Sequence, residues 1–160
     1  GIMKRTKIVV MILLIMGLLT GCSYSKSEHV DLSNLTVDNI KMGSDINKID
    51  FSKYTRSNKY SGDYRYKFDE LLINTNKDKV SFIFTRLDEK GTEFKINSKG
   101  NIKTIRDVTN LLGSDFKDVS EDKKQSLRKR TYYDKMNNIR ADFVYLDLDQ
   151  SISWIEIYYA

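Results

Sequence analysis

The fold is decided by residues 139–159, which carry the sequence IRADFVYLDLDQSISWIEIYY. Two runs rich in aromatic and β-branched residues, 139–148 and 151–159, flank a polar segment at 149–151. Residues of these types favour extended strands, and a short polar segment between two such runs favours a hairpin turn. The stretch therefore predicts two neighbouring antiparallel strands.

The second of these strands has two chemically different faces. Ile155 and Ile157 alternate with Trp154 and Glu156. Because side chains of a strand point alternately to opposite sides of the sheet, this alternation predicts a sheet with one face buried by a covering layer.

Further strands are predicted from the same signals. The runs are 64–68, Lys79–Arg86, 93–97 and 130–134. A second hairpin turn is predicted at 89–91, where Gly91 favours a tight turn. The polar stretch 120–126 is predicted to be a connection between strands.

One helix is predicted clearly. Thr104 can cap its start and Gly113 can end it. The apolar residues between them follow helical spacing, at Ile105, Val108, Leu111 and Leu112. A shorter helix carrying Ile46 and Ile49, capped by Ser44 or Asp45, is predicted earlier in the chain.

The chain also matches itself at an offset of about 61 residues. Residues 40–49 align with 102–111, and residues 80–88 align with 141–149. We therefore expect an α+β fold in which two tandem units, 35–98 and 99–160, each contain a helix followed by an antiparallel β-meander. Short helices are expected to cover one face of the resulting sheet.

The N-terminal residues have the order of an export signal. Basic residues at positions 4, 5 and 7 precede an uncharged apolar run over 8–19, and small residues lead to Cys22. The run is shorter than the ~20 apolar residues that a spanning helix needs. Residues 1–21 are therefore predicted to be a signal peptide. Gly1 and Ile2 precede the predicted initiator Met3 and are interpreted as an expression-vector remnant.

Residues 19–22, Leu-Thr-Gly-Cys, resemble the lipobox of bacterial lipoproteins. The resemblance implies that Cys22 receives a diacylglyceryl group and becomes the N-terminus after cleavage, which would hold the protein on the extracytoplasmic face of the cell membrane. Cys22 is the only cysteine, so no intramolecular disulfide can form. Residues 22–34 are predicted to be a flexible lipidated tether.

The predicted cleavage before Cys22 would lower the net positive charge of the chain. Three of the 27 basic side chains and none of the 22 acidic ones lie in residues 1–21, so 24 basic residues face 22 acidic ones in the mature chain, a formal charge of +2. A nucleic-acid partner is therefore not expected.

Residues 35–160 resemble small bacterial lipoproteins with tandem units of the β-lactamase-inhibitory-protein-like fold, a fold similar to that of the small outer-membrane assembly lipoproteins. The resemblance is carried by the lipobox, the tandem units and the helix motif over 102–113. It implies a sheet that grips another protein and no enzymatic activity. It assigns no contact residue.

Two groups of residues are candidates for partner contacts. Tyr60 and Tyr64 lie in a polar region, and tyrosine is common at binding surfaces, although strand packing explains most of the ten tyrosines. The second group is basic and could attract wall polymer, lipid headgroups or an acidic protein. Alternatively, the group belongs to a solvated loop, and nearby acidic residues balance its charge. Its members are Lys123, Lys124, Arg128, Lys129 and Arg130.

Catalytic chemistry is not indicated. The only histidine, His29, lies in the predicted tether, and Cys22 is used by the lipid, so we expect no nucleophilic catalysis, no zinc site, no cofactor and no catalytic residue. Residues 147–151 resemble the start of a calcium loop, but Ile152 replaces its glycine and Tyr158 its final glutamate. Catalysis by a pair of carboxylates that come together from distant positions in the sequence is an alternative that stays open.

These observations predict a lipid-anchored, extracytoplasmic protein-binding module that is not an enzyme, in a narrower form an inhibitor, immunity or exclusion lipoprotein. Two alternatives stay open. One is a structural lipoprotein associated with wall polymer, and the other is a carboxylate-based envelope enzyme or ligand carrier. The oligomeric state is not indicated.

Overall fold

The computed structural model describes residues 29–89 and 91–160. Its strands are β1 (Leu35–Val37), β2 (Tyr66–Lys67), β3 (Leu71–Asn76), β4 (Lys79–Arg86), β5 (Phe94–Ile96), β6 (Lys117–Asp122), β7 (Leu127–Asp134), β8 (Ile139–Leu146) and β9 (Ile152–Tyr159). A 3-10 helix spans Ile46–Lys48, and the helix α1 spans Ile105–Leu112.

Seven strands form one antiparallel sheet in the order β2-β3-β4-β9-β8-β7-β6, and β1 pairs with β5 in a separate two-stranded sheet. The two predicted units share the larger sheet, because β4 of the first pairs with β9 of the second. The strand at one edge, β6, carries mostly exposed polar side chains, a composition that discourages pairing with further strands.

The predicted α+β class, with helices covering the sheet, is wrong. The described residues are mostly antiparallel β-structure with one α-helix. The shorter predicted helix is only a 3-10 turn, capped by Asp45, because the backbone is already extended at Ile49. A single turn fixes several residues for few hydrogen bonds and is a poor start for a longer helix.

The covering layer is built from α1, the β1–β5 pair and the N-terminal segment. Buried side chains from this layer include Leu32, Val37, Ile96 and Val108. They pack in one cluster with the inward-facing residues of the large sheet, among which are Ile73, Ile83, Ala141, Phe143, Ile155 and Ile157. The predicted burial of Ile155 and Ile157 is therefore confirmed.

The predicted capping of α1 is confirmed in detail. The Thr104 side chain accepts from the Asp107 amide, and the Asp107 carboxylate accepts from the Thr104 amide at 2.9 Å. Such a reciprocal box satisfies amides that would otherwise lack partners at the helix start. Gly113 ends the helix with φ +86°, a left-handed conformation that favours glycine.

The strand predictions had mixed outcomes. The hairpin of β8 and β9 is confirmed, and so are the bounds of β4. The prediction of a hairpin turn at 89–91 is wrong, because the strands on its two sides do not pair with each other. β4 pairs with β3 and β9, whereas β5 pairs with β1. Residues 120–122 of the predicted connection belong to β6, whereas 123–126 do form the turn between β6 and β7. The strands β1 and β3 were not predicted.

The same backbone contacts occur in both units. Ile46 donates to the Asp78 carbonyl and Ile105 donates to the Gln150 carbonyl, each at 2.9 Å. In the return direction the Val80 and Ile152 amides donate to the segments just before the two caps. Val80 therefore takes the structural position of Ile152, 72 residues later, whereas the sequence alignment matched it to Ala141.

Packing of the domain begins at Val30 and Leu32, which are buried although they lie in the predicted tether. The signal peptide and Cys22 lie outside the described residues. In 29–89 and 91–160 no helix has the length and apolarity that crossing a bilayer requires.

Candidate functional site

The large sheet has a second face, opposite the core, and this face carries a groove. The groove encloses about 270 Å³ at the end of the sheet formed by β3, β4 and β9. It is lined by Tyr60, Ser61, Tyr64, Leu72, Phe84, Arg86, Trp154 and Glu156. Both predicted contact tyrosines lie in it, but they are half-buried and not the exposed side chains that the sequence suggested.

One wall of the groove is the loop over residues 57–65, which packs on the sheet through its aromatic rings. The Tyr60 ring meets the Phe84 ring edge-on, with centroids 5.2 Å apart. The Tyr64 ring tilts over Phe82 at 5.6 Å. Contacts of this kind add about 0.5–1.5 kcal/mol each beyond the area they bury.

Polar contacts fasten the same loop. The Asn74 side chain donates to the Asp63 carbonyl at 3.1 Å and accepts from the Arg65 amide at 2.8 Å. The Lys67 ammonium donates to the Tyr60 carbonyl at 3.3 Å. The loop is therefore attached to β2 through Tyr60 and to β3 through Asp63 and Arg65, and the groove is preformed.

Arg86 brings a positive charge to the groove that is already neutralised. Its guanidinium donates to both carboxylate oxygens of Asp88, at 2.8 and 2.5 Å, and lies 5.7 Å from the centroid of the Trp154 ring. These hydrogen bonds, which the Asp88 carboxylate accepts, raise the pKa of Arg86. Bidentate pairs of this kind are directional and strong, so Arg86 is fixed against one wall.

Glu156 also lines the groove. It stands opposite Phe84 on β4 and opposite Asp142 on β8. In the described part of the chain its carboxylate accepts no hydrogen bond and forms no ion pair. Burial, followed by the charge of Asp142, raises the pKa of Glu156.

Asp142 is in a different position, because both of its oxygens are used. One accepts from the Thr131 hydroxyl at 2.7 Å and the other from the Tyr158 hydroxyl at 3.0 Å. Burial and the Asp142 charge raise the pKa of Tyr158 to about 12. Of the two neighbouring carboxylates, that of Asp142 is satisfied by two hydrogen bonds, and that of Glu156 accepts none within the described residues.

The Tyr60 hydroxyl is buried and has no hydrogen-bond partner within residues 29–89 and 91–160. It lies near enough to Arg86 to contribute to the raised pKa of that residue. A buried polar atom without a partner costs about 1–3 kcal/mol, and such atoms are few in folded proteins.

The basic group is divided by the structure. Arg128 and Arg130 both donate to Asp118, at 2.8 and 2.9 Å, and Lys129 lies 3.4 Å from Glu121. The two remaining members, Lys123 and Lys124, are exposed in the turn between β6 and β7. The group is therefore mostly a set of ion pairs across two neighbouring strands.

No candidate metal centre was found in the described ranges, where no three residues of the types His, Cys, Asp and Glu come together. Asp149 instead closes the β8–β9 turn, accepting from the amide and hydroxyl of Ser151 at 3.0 and 2.7 Å. His29 is exposed at the start of the described residues.

Six lining residues were not among the predicted contacts: Ser61, Leu72, Phe84, Arg86, Trp154 and Glu156. The alternation in β9 did place the last two on the face opposite the core. The groove itself depends on the loop 57–65 folding back over distant strands, and no local pattern indicates that.

Comparisons of the chain with protein-family models, with curated proteins and with solved structures gave no match.

Proposed function

We propose that this protein is a lipid-anchored module that binds another protein on the extracytoplasmic side of the membrane. The single observation that carries the binding role is the preformed groove on the face of the sheet opposite the core. The export signal and the lipobox cysteine support the location. An inhibitor, immunity or exclusion lipoprotein is the narrower form of the proposal.

The composition of the groove supports a protein partner. Tryptophan, tyrosine and arginine dominate the energy of protein interfaces, and all three types line this groove at Trp154, Tyr60, Tyr64 and Arg86. Their contacts with the sheet fix the side chains in advance, so a partner loses less entropy in ordering them.

The arrangement of acids favours binding over hydrolysis. Two-carboxylate catalysis needs a proton donor and a second free carboxylate on opposite sides of a bond. Here Glu156 is free, whereas Asp142 is occupied by Thr131 and Tyr158.

Site-specific photocrosslinking in intact cells tests the proposal. A benzoyl-phenylalanine at Ser61, an exposed residue that lines the groove, should give a discrete adduct with one or a few envelope proteins. The same group at Lys103, exposed next to α1 on the covered side of the sheet, is the matched control and should give none. Absence of an adduct from Ser61, or equal adducts from both positions, would contradict the proposal.

A further inference from the structure

We propose that the groove binds a basic side chain, lysine or arginine, presented by the partner protein, with Glu156 as its counter-charge. This inference rests on the proposed protein-binding function and identifies the chemistry of the contact.

The charge of the groove supports a cation. Arg86 is neutralised by its bidentate contact with Asp88, so among the lining residues that the structure describes the uncompensated charge is the carboxylate of Glu156. Asp142, beside it, adds a second negative charge. The hydroxyls of Thr131 and Tyr158 donate hydrogen bonds to this carboxylate, but they are neutral and do not cancel its charge. A half-buried charge attracts an opposite charge more strongly than one in bulk water does.

The apolar part of the groove suits the stem of such a side chain. Leu72, Phe84 and Trp154 on the strands face Tyr60 and Tyr64 on the loop. Lysine and arginine carry three or four methylene groups before their charged ends, so the stem can lie against these rings while the end reaches Glu156. The rings already accept cations, since the Lys59 ammonium lies 5.7 Å from the Tyr60 centroid.

Other occupants fit less well. An acidic side chain or a phosphate would face the unpaired carboxylate of Glu156 and be repelled. A neutral glycan could stack on Trp154, but it would leave the charge of Glu156 uncompensated in a partly desolvated place. The volume of about 270 Å³ suits one side chain.

The chain contains its own reporter for the test, because Trp154 is its only tryptophan and lines the groove. Tryptophan fluorescence should change saturably on titration with acetyl-Gly-Lys-Gly-Lys-Gly-amide. The peptide with glutamate in place of lysine, and an oligomer of N-acetylglucosamine, should leave it unchanged. Equal responses to all three probes, or a response to the glycan alone, would overturn the inference.

Glu156→Gln is the decisive variant, because it keeps the shape of the side chain and removes its charge. We expect the affinity for the lysine peptide to fall about 10-fold, which is the effect of losing ~1.4 kcal/mol. Glu93→Gln removes the same charge next to β5, from a side chain that is 65% exposed, and should leave the affinity unchanged. Equal effects of the two variants would show general electrostatic attraction and overturn the inference.

Crosslinking separates this inference from the function on which it rests. A wild-type adduct from Ser61 that weakens in Glu156→Gln supports both. An adduct that is unchanged in Glu156→Gln leaves the protein-binding function standing and overturns the basic side chain. No adduct in the wild type contradicts the function itself, whatever the peptides do.

Discussion

The backbone amide of Leu32 donates a hydrogen bond to the carboxylate of Asp134, which lies 102 residues later in the chain and 2.9 Å away. Asp134 is buried and also accepts from the amide and the side chain of Asn137, at 3.0 and 2.7 Å. One carboxylate therefore closes the β7–β8 turn and fixes the point at which the chain enters the domain.

Asp134→Ala should lower the free energy of unfolding by about 2–3 kcal/mol, because the Leu32 amide loses its acceptor in a buried place and the Asn137 amide loses it in a partly buried one. Urea unfolding measures the loss. Asp115→Ala removes an exposed aspartate from the loop after α1 and should change stability by less than ~0.5 kcal/mol. Equal losses in the two variants would show that the contacts of Asp134 do not matter.

The pH dependence of the same contact has a defined sign. Burial raises the pKa of Asp134, but the hydrogen bonds from Asn137 and Leu32 lower it further, and the net pKa is below the usual value. The stabilisation is therefore complete above the unfolded pKa of about 3.9 and is lost as the pH falls through the folded pKa. Asparagine has no carboxylate to titrate, so the loss of stability that Asp134 causes at low pH should be absent from Asp134→Asn.

Local patterns predicted the elements that local interactions determine. The helix α1 follows from its cap at Thr104, its apolar spacing and its terminal Gly113, and the β8–β9 hairpin follows from two apolar runs around a polar turn. The alternation at Ile155 and Ile157 also identified the buried face of β9. In each case the residues that define the feature are close in sequence.

Features that depend on distant contacts were not predicted. β6 has the sequence KDVSED, which lacks a strand signal because it lies at the edge of the sheet with most of its side chains in water. β3 ends in the polar sequence Asn-Thr-Asn. The groove requires Tyr60 to meet Phe84, and nothing near either residue in the sequence indicates that contact.

Glu156→Gln should stabilise the fold at neutral pH. The folded pKa of Glu156 is raised, so the folded chain holds this proton more tightly than the unfolded chain does, and stability falls as the pH rises from about 4.3 through the folded value. The charged groups around it are Asp142 on β8, Lys129 on β7, Glu121 on β6 and Arg86 on β4.

Thermal unfolding at several pH values tests this expectation. The melting temperature of Glu156→Gln should exceed that of the wild type at pH 7, and the difference should vanish near pH 4. Glu93→Gln is the matched control and should show no such gain. A lower melting temperature for Glu156→Gln at pH 7 would mean that the carboxylate has a stabilising partner.

Cys22→Ser tests the lipid anchor. A hydroxyl in place of the thiol cannot accept the diacylglyceryl group, so the variant should remain an uncleaved precursor or leave the membrane fraction. Cell fractionation and mass spectrometry of the N-terminus give the result, with Ser23→Ala as the control that should be processed normally. Cys22→Ser protein that is cut before residue 22 and retained in the membrane would refute lipid anchoring.

In the basic group, we expect the arginines to stabilise the fold and the exposed lysines Lys123 and Lys124 to contribute little to it. Arg130 is the best supported, since its guanidinium donates to Asp118, donates to the Thr109 hydroxyl at 2.6 Å and lies 3.8 Å from the centroid of the Phe116 ring. Arg130→Gln should lower the free energy of unfolding by about 2 kcal/mol, because hydrogen bonds to charged groups are worth about 1.5–3 kcal/mol each.

Replacing both Lys123 and Lys124 by glutamine is the contrasting variant. These side chains form no ion pair in the described ranges and lie in water, so the change in stability should stay within ~0.5 kcal/mol. Co-sedimentation with purified wall polymer should likewise be unchanged. Loss of polymer binding in this variant, with the same loss in the wild type at high salt, would instead support the wall-associated alternative, since screening weakens contacts between exposed charges.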